Sequence, residues 1–163
     1  MDIEAFLSSI VEISVGIVGF AGIIAAVQRR GMSGWPAPQR ILMQVLCFAS
    51  AMAIVFALLP SALAEAGVEN NLIWKIGSCG LLIWYAGILP YRRHQARKFG
   101  VLSQIPRLLQ IWVLTAAALQ IYNLTTPGLS WPYMFGVFSL VVNGFTVFLL
   151  LLLGSGATDQ ETS

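Results

Sequence analysis

An all-α bundle of membrane-crossing helices is the fold class this sequence predicts, and three features carry the prediction. Of 163 residues, 58% are apolar and only 10% are charged, with a mean hydropathy of +0.81. A soluble domain this small leaves much of its surface in water and cannot hide so much hydrocarbon. The apolar residues are gathered in runs of about 20, the length that crosses a bilayer core as a helix. Eight of the nine basic residues fall in two of the connections between those runs, the kind of asymmetry that orients a chain in a membrane.

Five runs result, in order. The first, Phe6 to Val27, follows Asp2 and Glu4 with no Lys or Arg before it, so it reads as a retained helix rather than a cleaved signal peptide. After it, "GMSGWPAPQR" supplies turn residues, an interfacial tryptophan in Trp35, and a proline, Pro38, suited to opening a helix. The second span is Ile41 to Ala64, with Pro60 placed to bend or end it near its far end. The third is Leu72 to Pro90. Leu108 to Thr125 is the fourth and the least lipid-like, because it holds Gln110, Gln120 and Asn123; a four-span alternative leaves this segment displaced or re-entrant. "PGLSWPY" separates it from the fifth span, Tyr133 to Leu153, with Trp131 and Tyr133 suited to the outer headgroup belt.

Arg29, Arg30 and Arg40 lie between spans one and two, and Arg92, Arg93, Arg97, Lys98 and Arg107 between three and four. Basic loops stay cytoplasmic. The other side has Asp2, Glu4, Glu65 and Glu69, with Lys75 alone near its edge. The predicted topology is therefore N-out/C-in, with residues 1–154 a single transmembrane domain and 155–163 a short polar cytoplasmic tail. The longest connection, Tyr91 to Arg107, is 17 residues, which leaves no room for a soluble catalytic domain. No internal repeat argues for an inverted-repeat transporter within one chain.

Motifs for chemistry are missing. Cys47 and Cys79 both fall inside spans, where a thiol packs as a small apolar group. The single histidine, His94, has no CxxC, HxxxH or carboxylate at ligand spacing. There is no phosphate loop, paired carboxylate set or nucleophile elbow. The sequence thus predicts no enzymatic activity, no metal and no cofactor. A basic surface large enough for nucleic acid is also missing.

Glu12 stands out because it lies inside an apolar run. On a helical projection Ser8, Gly16, Gly19 and Ala26 fall within about 40° of it, while Ile10, Val18 and Ile24 occupy the opposite side and suit lipid. Small residues let helices approach closely and polar groups bridge them, so the Glu12 face is expected to meet protein, roughly 9 Å below the helix start. A carboxylate at depth costs about 2.5 to 3.5 kcal/mol even on mild scales and needs a partner, a proton or water. Lys75 is near the same outer end, and either pairs with Glu12 or snorkels to the headgroups.

Other spans carry comparable stripes. Ala49, Ala53 and Ala57 recur every four residues in span two; Gly80 and Gly87 stand seven apart in span three, with Gly77 close by. These are helix-packing seams. Span five aligns Gly136, Ser139, Asn143 and Thr146, and span four Ala116, Gln120 and Asn123, two stripes expected to face each other. Gln120, Asn123 and Asn143 then either cross-link helices or line a wet path. The segment "YRRHQARKFG", with Arg92, Arg93, Arg97 and Lys98, either sets topology or holds anionic lipid headgroups or a signal.

"VGFAGIIAA", a following tryptophan, an arginine opening the next span and "FALLP" at Phe56 to Pro60 resemble small polytopic bacterial membrane proteins of unassigned function, over about residues 10 to 65. The resemblance implies a bacterial inner membrane. Three functions fit these residues: a homo-oligomeric pore or small transport unit in the lipid bilayer; an accessory or anchoring subunit docked on other membrane subunits; and a membrane sensor or effector, in stress or phage defence.

Overall fold

The computed structural model describes residues 2–27, 37–99 and 107–156, and within them every regular element is a helix: α1 (Ile3–Val27), α2 (Ala37–Glu65), α3 (Asn70–Phe99), α4 (Arg107–Thr125) and α5 (Ser130–Gly156). The protein is an all-α bundle. Among the described residues four helices, α1, α2, α4 and α5, are long and apolar enough to cross a membrane. Their outward faces carry Phe20, Ile23, Phe48, Ile111 and Phe145, all well exposed, an apolar surface that suits lipid and would be a liability in water.

Local chemistry explains the helix ends. Asp2 Oδ1 accepts from Glu4 N at 3.1 Å, an N-cap that starts α1 a few residues before the apolar run. The end of α2 is a Schellman turn: Gly67, at φ +77°, donates to Ala64 O at 3.0 Å and Val68 donates to Leu63 O at 3.1 Å, which satisfies carbonyls that the helix leaves open. Pro60 does not end α2, which continues through it to Glu65. In α5, Pro132 sits in the first turn, where a missing N–H costs nothing. The α3 backbone stays helical past Pro90 to Phe99, so "YRRHQARKF" is helix rather than loop; Arg, Gln, Ala and Lys are good helix formers, and no glycine follows until Gly100.

The most extensive contact joins α2 and α5. Helix α1 packs on both, α3 packs on α2, α4 and α5, and α4 packs on α3 and α5. Both α1 and α3 thus pack on each member of this central pair, and α4 completes the bundle against α3 and α5. Small residues set the spacing of the pair. Ala49, Ala53 and Ala57 are all buried, and a Cβ added at Gly144 of α5 would sit 3.3 Å from Ser50 Oγ and 4.0 Å from Ala49 Cβ. Close approach of this kind is what holds helices together where lipid offers no hydrophobic drive. On α3, a Cβ at Gly80 would meet Phe56 Cε1 at 2.8 Å and one at Gly77 would meet Tyr133 Cζ at 2.9 Å. Gly87 faces open space.

Candidate functional site

Two groups of polar residues sit along the apolar helices, and the fold treats them oppositely. The first is turned inward and bonded. From α4, Asn123 is fully buried; its Nδ2 donates to Ser78 Oγ of α3 at 2.8 Å and to Leu129 O at 3.0 Å, and its Oδ1 accepts from Leu129 N at 2.7 Å. One amide thus ties α3 and α4 to the turn that begins α5. Gln120, one turn earlier and also fully buried, donates from Nε2 to Pro132 O at 2.7 Å and Ala116 O at 3.3 Å. From α3, Tyr85 donates to Gly136 O at 2.8 Å. A Cβ at Gly136 would meet Gln120 Nε2 at 2.6 Å, so the glycine admits this amide.

Tyr133 also points inward. It is fully buried, its hydroxyl donates to Phe56 O, and its ring lies 5.7 Å from that of Trp74. It belongs to the bundle core and not to the headgroup belt; only Trp131 is exposed. Tyr133 shares the inward face of α5 with Gly136 and Val137, so facing overrides depth. Ser139 stands beside the Tyr85 hydroxyl, yet its Oγ has no hydrogen-bond partner among the described residues, and neither has Gln120 Oε1. Asn143 is buried on α5 and has an interaction partner.

The second group is turned outward. Ser8, Glu12, Gly16, Gly19 and Ala26 are all exposed, and a Cβ at Gly16, Gly19 or Gly22 would have nothing within 4 Å. Leu7, Ile10, Ser14, Ile17 and Ala21 are the residues of α1 buried against α2 and α5. This reverses part of the expected orientation: Ile10 faces the core, not lipid, while the Glu12 face is turned away from the other described helices. The reason is spacing. Positions 7, 10, 14, 17 and 21 alternate by three and four, the seam of a left-handed helix pair, and that signal was available in the sequence. Because α1 starts at Ile3, Glu12 lies about 13 Å below the helix start, closer to its middle.

Among the described residues no ion pair joins Glu12 to Lys75; α1 packs on α2 and α5, whereas α3 packs on α2, α4 and α5. Lys75 is half-buried, and its Cγ lies 3.3 Å from where a Gly128 Cβ would be, so its stem covers the α4–α5 turn. The two cysteines are free, Cys47 half-buried and Cys79 exposed on the outer surface; Cys79 is therefore not packed inside the bundle. The side chains of Arg92, Arg93, Arg97 and Lys98 lie outside the described residues, as do His94, Arg29, Arg30, Trp35 and most of the C-terminal tail. Among the described residues no cluster of His, Cys, Asp or Glu could hold a metal. No family model, curated protein or solved structure matches the chain.

Proposed function

We propose that the protein is an integral membrane protein that self-associates through the outer face of α1, with the Glu12 carboxylates of neighbouring copies meeting on a small ion or proton path. One observation carries this: Glu12 is exposed on the outside of the bundle, near the middle of an apolar helix. A carboxylate left against hydrocarbon costs about 2.5 to 3.5 kcal/mol, so protein or water covers it. The surrounding Ser8, Gly16, Gly19 and Gly22 offer a surface that a second helix can approach closely, and rings of acidic side chains are a recurrent way to conduct cations. The resemblance of residues 10 to 65 to small bacterial membrane proteins supports a bacterial inner membrane. No enzymatic role is proposed.

A second reading, a docking subunit that conducts nothing, is favoured by the inward clasp. Gln120 and Asn123 spend their hydrogen bonds on holding α3, α4 and α5 together and do not line a path within one copy.

Flux from proteoliposomes separates the two. Glu12→Gln keeps size and hydrogen bonding but removes the charge, so in the conducting reading the oligomer survives while potassium or proton flux and its pH dependence change. Under the docking reading the wild-type protein is tight to both under every gradient, and that outcome rejects conduction. A monomeric native mass for the wild type in mild detergent and in nanodiscs rejects self-association.

A further inference from the structure

A groove runs between α2 and α3, with a volume of about 520 Å³, lined by Val45, Phe48, Met52 and Phe56 on one wall and Ile83 and Trp84 on the other. Its floor exists because α3 has glycines there. At Gly80 the Phe56 ring closes the groove, whereas at Gly87 a Cβ would find nothing within 4 Å, so the open end is at Gly87 and the N-terminal part of α2. Among the described lining residues the one side-chain amide is that of Gln44, at that open end. One turn before it on α2 is Arg40, exposed like Gln44.

Size and charge together select the occupant. From Gln44 to Phe56 the groove extends about 18 Å by the helical rise, slightly more than half of a hydrocarbon core of about 30 Å. Its volume of about 520 Å³ is well below the roughly 1,400 Å³ that a helix about 10 Å wide fills over that length, and suits a single hydrocarbon chain. The lining offers almost nothing to hydrogen-bond, so a polar solute has no partner inside. At the lip, the Arg40 guanidinium and the Gln44 amide can donate to a phosphate or another anionic oxygen, and the N-terminus of α2 adds partial positive charge.

We propose that this groove is a binding site for one acyl chain of an anionic glycerophospholipid, whose headgroup phosphate is held by Arg40 and Gln44 in the leaflet around the N-terminal end of α2. The site is separate from the Glu12 face and does not depend on conduction.

Native mass spectrometry of the detergent-purified full chain, titrated with dioleoyl phosphatidylglycerol or dioleoyl phosphatidylcholine, tests it. Wild type retains one phosphatidylglycerol, preferred over phosphatidylcholine about fivefold, the contribution of one basic side chain near the surface. Gly87→Phe, at a position where an added Cβ has nothing within 4 Å, puts a ring into the open end of the groove and abolishes retention. Arg40→Gln, at an exposed position that leaves the fold intact, keeps one bound lipid but levels the preference. Equal retention of the two lipids by wild type overturns the proposal, as does a Gly87→Phe variant that holds lipid like wild type. A wild-type dimer that Gly87→Phe dissociates also overturns it, because a second copy then occupies the groove.

Discussion

Asn123 shows what a single amide does when no water competes for it. Its two hydrogen bonds to Leu129 and one to Ser78 fix the α4–α5 turn, where Gly128 adopts φ +91° directly against the Asn71 carbonyl. Asn123→Ala strands the Leu129 N–H and the Ser78 hydroxyl, at an expected cost of about 1 to 3 kcal/mol, read as earlier unfolding in a denaturant titration in detergent. Thr115→Ala, whose hydroxyl is exposed and bonds only within its own helix turn, is the control and should change little. Ser14→Ala has the opposite expectation. Its Oγ is buried without a partner among the described residues, so removing it leaves stability unchanged or raises it by up to ~1 kcal/mol; a loss larger than that means the hydroxyl is bonded. Both Gln120 and Asn123 were conspicuous in the sequence, as amides in an apolar run. Their partners were not, because Pro132 O and Ser78 Oγ are reached only through the register between helices, which no single stretch encodes.

Helix α1 shows where reading one element by composition falls short. Small and polar residues mark one face and large apolar residues the other, but within this chain the buried face is the mixed one, Leu7, Ile10, Ser14, Ile17 and Ala21. The spacing of these positions predicts a packed seam better than their polarity does. What remains outside is a glycine-bearing face with no neighbour among the described residues. Gly19→Leu fills no occupied space, since nothing lies within 4 Å of its added Cβ, so the variant should keep the unfolding midpoint of the wild type. If the α1 face is the assembly surface, the same variant lowers the native oligomeric mass. An unchanged oligomer with an unchanged fold places assembly elsewhere on the bundle. The extension of α3 to Phe99 is the other departure at this scale: Pro90 and the basic run after it look like the end of a span, yet the backbone can stay helical beyond the hydrocarbon, where charge is no obstacle.

At the scale of the whole molecule, helix count and apolar runs were legible because the membrane demands about 20 apolar residues from every crossing, whereas the arrangement around the α2–α5 pair was not. That arrangement sets the level of α3 against its neighbours. Helix α3 carries Asn70, Asn71 and Lys75 in its first turns and is less apolar at that end than α4, yet it runs beside helices that qualify as spans: Ser78 bonds Asn123 near the end of α4, and Tyr85 bonds the Gly136 carbonyl two turns into α5. Its level in the bundle is theirs, so if α4 and α5 cross, α3 crosses with them. Five crossings would put the two termini on opposite sides, and from the basic residues at 29, 30, 40, 92, 93, 97, 98 and 107 the expectation is then an N-terminus outside and a C-terminus in the cytoplasm. Tags appended at each end and probed with an impermeant protease on intact and then permeabilised spheroplasts should lose the N-terminal tag first and the C-terminal tag only after permeabilisation. Loss of both tags in the same step would mean an even number of crossings, and α3 or α4 would then have to lie in the membrane without traversing it.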